Sequence, residues 1–378
     1  MPTLVESVQK SGKRTWIEIR LDRLVANLQT LKSHLDPATQ VMAVVKANAY
    51  GHGMVEVSRA LANHVTYLGV SSLQEALELK GSNINSSVFL FGRLFDEELV
   101  TAVQNGFTLS VSSLEEAEEI SKISESSGRK TLVHVKVDMG MGRLGVQERK
   151  AIKTIEGMAA LPGITLDGIY THFPTAESND GYALEQLENF TLLLAVLKEK
   201  GIQFRMRHAA NSAASLKMQT SLMNLVRPGL ILYGIYPAKP LKEANGFRPV
   251  LSLKSRIILL KRLQKGDSVG YGRTFVAKEP TTIATLPIGY SHGYPFHLSN
   301  RSWVLYRGKK YSIAGRVSMD YLTIDLGDAP AEVGDEITLL GEDGNESIQA
   351  EDLAGWAGTI PYEIVTRLSS RLPRFYSK

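Results

Sequence analysis

The chain has 378 residues, of which 43% are hydrophobic and 22% are charged, and its formal net charge is +4 at pH 7. This length favours two domains and is sufficient to bury a large core. The basic residues are scattered along the chain, which argues against a nucleic-acid partner. The sequence contains no cysteine, so disulfides and thiolate metal sites are excluded.

The N-terminal stretch MPTLVESVQKSGKRTW lacks the apolar core of a secretory signal, and no apolar run approaches the about 18 residues that span a bilayer. We therefore expect a cytoplasmic protein without a membrane partner. The eight histidines show no metal-ligand spacing, and no Walker glycine pattern is present. Neither a metal site nor a P-loop is expected.

Short apolar runs alternate with helical patterns from about residue 40 onward. Eight of these runs are typical of strands: 41–45, 66–70, 88–92, 107–111, 131–137, 166–172, 204–209 and 224–229. Ser71, Asp96 and Ser112 stand where helix N-caps are expected. Eight strands alternating with helices predict a parallel sheet closed into a (β/α)8 TIM barrel. An open doubly wound sheet is the alternative.

The pattern changes after about residue 246. Apolar, β-rich stretches such as TTIATLPIGY and SWVLYRGKKYSIAG are separated by short polar turns, and helical periodicity is nearly absent until about residue 351. The sequence therefore predicts a barrel over residues 1–246, followed by a mostly antiparallel β domain over residues 247–378.

Polar residues follow the ends of several predicted barrel strands. They are Lys46 after the first strand, Arg143 after the fifth, His172 at the end of the sixth, Asn211 and Ser212 after the seventh, and Arg227 in the eighth. Active sites of (β/α)8 barrels lie at the C-terminal ends of the strands. We therefore expect these side chains to converge on one rim.

Each of these residues also has a structural interpretation. Lys46 could be solvated, but burial would lower its pKa and make it a nucleophile. Arg143 could bind a substrate carboxylate or pair with Asp138. His172 could be a hydrogen-bonded core residue. Ser212 could be a helix N-cap or, together with the following RPG stretch, part of a phosphate site.

The stretch AVVKANAYGHG resembles the signature around the pyridoxal phosphate lysine of alanine racemases. Further blocks follow in the order found in that family: KVDMGMGRLG, YTHFPTA, HAANSAA, VRPGLILYG, VGYGRT, LPIGYSHGYP, AGRVSMD and IPYEIVTRLSSRLPR. The resemblance covers residues about 43 to 375. It implies a barrel with a C-terminal β domain, pyridoxal 5'-phosphate as cofactor, alanine as substrate, and a homodimer with active sites at its interface.

The resemblance also implies roles for individual residues. Lys46 would hold the cofactor covalently and act as one of two bases. Tyr271 of the partner subunit would be the other base. Arg143 would bind near the cofactor's phenolic oxygen and the substrate carboxylate. Met319 and Tyr290, again from the partner, would shape the substrate entrance.

Other positions match the cofactor site, namely Tyr50, His172, Asn211, Ser212, Gly229, Leu230 and Tyr362. Arg227 matches the residue that faces the pyridine nitrogen. Its permanent positive charge disfavours a second one on that nitrogen, which favours racemisation over transamination. Lys136 matches a lysine that many relatives carry as a carbamate.

The family supplies D-alanine for cell-wall peptidoglycan, so the resemblance implies the same pathway here. Serine differs from alanine by one hydroxyl, and a side activity on serine is expected because pockets reject such additions poorly. Two alternatives stay open. A related basic-amino-acid decarboxylase would be expected to carry a catalytic cysteine and an acidic residue at the ring nitrogen. A non-enzymatic pyridoxal phosphate carrier would resemble the barrel alone.

Overall fold

The structure is a computed structural model that describes residues 12–178, 181–218, 223–237 and 246–378. The N-terminal stretch compared with a secretory signal lies largely outside the described residues. Among the described residues, no helix combines the length and the apolar content needed to cross a bilayer.

Strands and helices alternate up to β10, and strands predominate after it. The first ten strands are β1 (Thr15–Arg20), β2 (Gln40–Val44), β3 (Tyr67–Val70), β4 (Ser87–Leu90), β5 (Thr108–Val111), β6 (Thr131–Asp138), β7 (Val146–Gln147), β8 (Ile164–Tyr170), β9 (Met206–His208) and β10 (Leu225–Val226). The later strands are β11 (Leu251–Arg256), β12 (Leu259–Leu263), β13 (Ser268–Val269), β14 (Phe275–Val276), β15 (Thr281–Leu286), β16 (Trp303–Tyr306), β17 (Lys309–Ile313), β18 (Leu322–Gly327), β19 (Glu336–Asp343), β20 (Glu346–Ile348) and β21 (Arg374–Ser377).

Most helices lie between strands of the first sheet in the sequence, and the last two precede the final strand. They are α1 (Leu21–Ser33), α2 (Met54–Leu61), α3 (Leu73–Gly81), α4 (Asp96–Asn105), α5 (Leu114–Ser126), α6 (Ala151–Ala159), α7 (Tyr182–Glu199), α8 (Ser212–Lys217), α9 (Ala350–Ala357) and α10 (Pro361–Thr366). In α1 the buried residues Leu24, Leu28 and Leu31 recur at helical spacing, so one apolar face packs inward.

The first sheet is a nearly closed parallel barrel with the strand order β10-β2-β3-β4-β5-β6-β8-β9. Its two ends are joined by the Asn224 amide donating to Arg207 O at 3.1 Å and the Arg227 amide donating to Ala210 O at 2.9 Å. The (β/α)8 prediction is therefore confirmed, and the open doubly wound alternative is wrong. Large side chains fill the interior, namely Met42, Tyr67, Phe89, Tyr170, Met206 and Leu225.

The predicted N-caps are each displaced by one residue. Ser72, Phe95 and Ser113 are the N-caps of α3, α4 and α5. In α3 the Ser72 hydroxyl accepts from the Glu75 amide, while the Glu75 carboxylate reaches back to the Ser71 amide at 2.9 Å. Adjacent serines look alike in sequence, and only the side-chain geometry distinguishes which of them is the cap.

The second sheet runs in the order β12-β15-β18-β17-β16-β19-β11-β1-β21 and is mostly antiparallel, as predicted. It includes β1, which pairs antiparallel with β11 and parallel with β21. A strand within the predicted barrel range of residues 1–246 thus belongs to the second sheet, which the sequence did not indicate. The division after residue 246 stays a prediction.

Candidate active site

Lys46 lies directly beyond β2, at the C-terminal end of the barrel, and is partly buried. The next four residues, 47–50, form a left-handed turn with φ between 52° and 54°. This conformation costs about 1–2 kcal/mol for each residue other than glycine. The Asn48 side chain accepts from the Met54 amide at 2.8 Å, and the Glu75 carboxylate accepts from the Ala47 amide at 2.6 Å. A strained loop held by its surroundings is typical of a functional site.

The β domain holds this loop from the other side. A Cβ on Gly51 would clash with the Val365 carbonyl oxygen, and one on Gly53 would clash with the Tyr376 hydroxyl. The Arg374 Nε donates to the Gly51 carbonyl at 2.9 Å. The glycines of the YGHG stretch therefore allow the second domain to approach the lysine loop closely.

A polar cradle lies beside Lys46. The Ser212 hydroxyl accepts from the Gly229 amide at 3.0 Å, and the position of a Cβ on Gly229 would lie 2.5 Å from the Tyr50 hydroxyl. The rings of Tyr50 and Tyr362 are 6.0 Å apart between centroids. Leu230 begins the short 3₁₀ turn that follows Gly229. The structure thus brings together the residues predicted for a phosphate site.

Asn211 lies after β9, where it was predicted, and directly before the next helix. It is the N-cap of α8, where its side-chain oxygen accepts from the Ala214 amide at 3.0 Å. The N-cap interpretation of Ser212 is wrong, because Ser212 is the first residue of the helix and its hydroxyl faces the Gly229 amide.

The two tyrosines of the cradle stay protonated. Burial raises the pKa of Tyr50, and the neighbouring Tyr362 adds to this effect. Burial also raises the pKa of Tyr362 to about 12. Both phenols are therefore neutral at physiological pH and can donate hydrogen bonds to an anionic group.

Positive charge is concentrated around Lys46. Burial lowers the pKa of Lys46, the charge of Arg143 lowers it further, and Glu75 opposes both. Burial together with Arg143 and Arg227 lowers the pKa of Lys136 to about 8. Burial and the same cations lower the pKa of His172 to about 3, so this imidazole is neutral. Such a cluster suits an anionic ligand.

Arg227 is the most constrained of these cations, with 4% of its surface exposed. Its Nη2 donates to the carbonyls of Thr171 at 2.7 Å and Ala209 at 3.0 Å, and it lies 3.3 Å from His172 Nδ1. Its Nη1 donates to His208 Nδ1 at 2.9 Å. Burial lowers the pKa of Arg227 to about 10, so the guanidinium remains charged at neutral pH.

Tyr271, Tyr290 and Met319 occupy the surface of the β domain. Their exposed fractions are 72%, 46% and 55%. The Tyr290 amide donates to Ser318 O at 3.0 Å, which joins two loops of this face. Among the described residues, no hydrogen bond or ring contact links these three side chains to Lys46 or Arg227. Within a single chain the residues predicted for the site therefore lie in two separate groups.

Comparison with known proteins identifies the family. The sequence model described as "Alanine racemase, N-terminal domain" matches residues 19–237, and that described as "Alanine racemase, C-terminal domain" matches residues 250–376. The chain belongs to the alanine racemase family. Neither the decarboxylase hypothesis nor the barrel-only carrier hypothesis predicts matches to both domains.

Similar proteins cover the chain from end to end. An alanine racemase from Methanococcus maripaludis is 42% identical over 366 residues, 96% of this chain and 98% of that protein. The alanine racemase of a D-cycloserine-producing Streptomyces lavendulae superposes with a TM-score of 0.92 at 34% identity, covering 97% of both chains. The alanine racemase of Bartonella henselae, with covalently bound pyridoxal phosphate, superposes with a TM-score of 0.86 at 28% identity, covering 97% of this chain and 100% of that one.

The residues of this alanine racemase family member fit pyridoxal phosphate. Gly229 allows the Tyr50 hydroxyl to approach the backbone so closely that a Cβ would clash with it, and the Ser212 hydroxyl accepts from the Gly229 amide at the same place. Lys46 combines a lowered pKa with a place in the same short turn as Tyr50. An amine that is easily deprotonated suits the aldehyde of the cofactor, and a cradle of hydrogen-bond donors suits its phosphate.

Sequence reasoning missed three buried residues that are linked to this site. His208 contacts Arg227, His134 contacts His208, and Asp167 contacts His134. The sequence did contain a signal for them. The stretches LVHVKV and RMRHAA each contain a histidine, and LDGIY contains an aspartate. Buried polar residues need partners, so three in neighbouring strands suggest a shared network.

Proposed function

We propose that the chain is a pyridoxal 5'-phosphate-dependent racemase that interconverts L-alanine and D-alanine, with Lys46 and Tyr271 of the partner subunit as opposed bases. The observation that carries this proposal is a partly buried lysine of lowered pKa at the C-terminal end of the barrel, the end that also holds a cluster of neutral hydroxyls and a buried guanidinium. Membership in the alanine racemase family supports alanine as the substrate.

When bound, pyridoxal phosphate supplies an electron-withdrawing ring that makes the Cα proton of an amino acid removable. Tyr50, Ser212, Gly229 and Tyr362 would hold its phosphate, and Lys46 would carry it covalently. Arg227 would face its ring nitrogen. The charge on Arg227 disfavours a second positive charge beside it, and the proton then returns to the substrate Cα, so that racemisation is favoured over transamination.

Racemisation removes a proton from one face of Cα and delivers one to the other, and this requires two opposed groups. Lys46 suits one face because burial makes its neutral form accessible. Tyr271 is exposed on its own chain and would reach the other face across a dimer interface. Arg143, in the exposed loop beyond β6, would bind the substrate carboxylate.

A homodimer is supported by the surface around Tyr271. Four side chains of the β domain are all at least 46% exposed, namely Tyr271, Tyr290, Met319 and Tyr321. All four lie between strands of this domain. Exposed apolar and aromatic residues in one patch are typical of interfaces. Tyr290 and Met319 of the partner subunit would narrow the substrate entrance, which favours a side chain as small as a methyl group.

We also propose that Lys136 carries a carbamate. Its pKa of about 8 makes the neutral amine available, and that amine would join carbon dioxide with the loss of one proton. The product is an anion that would pair with Arg143, and three neighbouring cations favour such an anion.

We further propose a metabolic role and a side activity. A cytoplasmic enzyme of this activity would supply D-alanine for cell-wall peptidoglycan. Serine would be turned over as a side activity, because pockets discriminate poorly against one added hydroxyl.

The test uses purified protein with L-alanine in deuterated solvent, followed by chiral analysis and NMR of the Cα proton. We expect exchange at Cα accompanied by the appearance of D-alanine. No exchange and no D-alanine would overturn the proposal. Carbon dioxide released from lysine or ornithine in a parallel reaction would support the decarboxylase instead. A Lys46→Met variant is the matched control and should be inactive in both assays.

A further inference from the structure

A chain of buried polar side chains crosses the barrel interior from the candidate site to the opposite end. Arg227 Nη1 lies 2.9 Å from His208 Nδ1, His208 Nε2 lies 2.8 Å from His134 Nδ1, and His134 Nε2 lies 3.3 Å from Asp167 Oδ2. Both histidines have no exposed surface, and Asp167 is 7% exposed. We call these four residues the barrel chain.

The two ends of the barrel chain impose one arrangement of protons. A guanidinium can only donate, and a carboxylate can only accept. His208 Nδ1 must therefore accept from Arg227, which leaves the proton of His208 on Nε2. His134 then accepts at Nδ1 and donates from Nε2 to Asp167. Burial lowers the pKa of His134 and of His208, so each ring carries a single proton.

The backbone is shaped to accommodate this chain. Strands β6 and β8 pair Val133 with Leu166 but His134 with Gly168, so Asp167 is an additional residue at a bulge. Side chains alternate between the two faces of a strand, and a bulge redirects a side chain that would otherwise point outward. A Cβ on Gly168 would lie 2.5 Å from the His134 ring. The bulge and the glycine together bring Asp167 and His134 into contact.

The far end of the barrel chain is anchored at the opposite rim. Arg205 donates to both oxygens of Asp167, at 2.8 Å and 2.7 Å, and the Tyr67 hydroxyl donates at 3.2 Å. The Arg205 side chain is 54% exposed. Burial raises the pKa of Asp167, but the hydrogen bonds from His134 and Arg205 outweigh it and hold this pKa below its ordinary value. Asp167 therefore remains an acceptor.

We propose that Asp167 is a positioning residue for Arg227, because it selects the histidine tautomers that let His208 accept a hydrogen bond from the guanidinium. Without an acceptor at Asp167, His134 has no partner for a proton on Nε2. A proton on His134 Nδ1 would force the His208 proton onto Nδ1, where it would face the Arg227 donor. Arg227 would then keep only its Nη2 contacts to Thr171 and Ala209. The catalytic consequence rests on the proposed function, whereas the tautomers do not.

The test begins with ¹⁵N NMR of histidine-labelled holoenzyme, with His134 and His208 assigned from single substitutions. In the wild type we expect both rings to be protonated at Nε2 and unprotonated at Nδ1. A proton on Nδ1 of either ring, or a doubly protonated ring, overturns the proposal without any variant. In Asp167→Leu we expect at least one of the two protons to move to Nδ1.

Two further variants are controls. Asp167→Asn retains an oxygen that can accept from His134 and should restore the wild-type tautomers. Tyr67→Phe removes a different hydrogen bond to the same carboxylate and should leave both rings unchanged. If folded Asp167→Leu shows the wild-type tautomers, Asp167 does not select them and the proposal is wrong.

Kinetics then test the consequence for Arg227. In Asp167→Leu we expect kcat for alanine to fall about 10- to 100-fold in both directions, as misplacement by about 1 Å produces. KM should change by less than about threefold, because in the proposed site Arg227 would face the cofactor ring and not the amino acid. An unchanged kcat alongside altered tautomers would overturn the positioning role. If the wild type shows the expected tautomers but no alanine turnover, the proposed function fails and the tautomer assignment stands.

Discussion

The two parts of the candidate site differ in how they are built. The barrel part is buried and linked by hydrogen bonds, with Arg227 only 4% exposed and bonded to the ends of two strands, β8 and β9. The β-domain part is a surface, on which Tyr271 is 72% exposed. The first part is preorganised within one chain. The second part has its side chains exposed, and its proposed role requires that another surface cover it.

This contrast suggests a division of work. The barrel part controls charge, because burial and neighbouring cations set the ionisation of Lys46, Lys136 and His172. The β-domain part would contribute a second base and the shape of the entrance. Substitutions in the two parts should therefore have different effects on turnover.

The largest effect is expected for Lys46→Ala in the barrel part. Loss of the covalent attachment and of one base should lower turnover in both directions by more than about 10⁴-fold. The measurement is chiral analysis of the product, with thermal unfolding as a check of folding. Borohydride should fix cofactor to the wild type but not to the variant. Residual activity within about tenfold of the wild type would contradict a role for Lys46 as base.

Tyr271→Phe in the β-domain part should slow the reaction in one direction, the one that begins with L-alanine. Removal of the proton from L-alanine should slow by about 10²- to 10⁴-fold, whereas Cα exchange of D-alanine should persist. Exchange of each enantiomer in deuterated solvent measures the two steps separately. Thermal stability should change little, since the substitution removes only one hydroxyl and keeps the aromatic ring. Equal kinetics in both directions would remove the distinction between the two parts.

Gly229→Ala should weaken the cofactor cradle without affecting the β-domain part. The added Cβ would lie 2.5 Å from the Tyr50 hydroxyl. Overpacking of this kind costs about 1–3 kcal/mol, and cofactor affinity should fall accordingly. Titration of apoenzyme with pyridoxal phosphate measures the loss.

The matched control for Gly229→Ala is the double variant with Tyr50→Phe, which removes the oxygen that clashes. If the two losses simply add, the clash with Tyr50 is not their cause, since only interacting residues give non-additive effects.

The smallest effect concerns Lys136. Its pKa of about 8 means that the neutral amine, which carbamate formation requires, declines as the pH falls below 8. The ¹³C carbamate signal of enzyme in labelled bicarbonate should therefore grow between about pH 6.5 and 8.5. A Lys136→Gln variant should lack the signal at every pH. A signal of constant size across this range would contradict the proposed titration.

Much of the fold was predictable because hydrophobic period and turn residues are local properties. The eight strand segments and the change of pattern after residue 246 could be read without knowing any contact. The convergence of Lys46, Arg143, His172 and Arg227 also followed, since parallel strands of a barrel end on one rim. The place of β1 in the second sheet could not be read, because its partners β11 and β21 lie more than 230 residues away in the chain.

By itself, the sequence determined the architecture, the family and the lysine at the centre of the candidate site. Tertiary structure alone decided which groups are buried together, and hence their ionisation. Asp167 illustrates the difference: the alternation of β8 would place it outside the barrel, and a one-residue shift in pairing with β6 turns it inward. A register shift changes every contact of a side chain but leaves no local pattern, so the link between Asp167 and Arg227 became visible only in the folded chain.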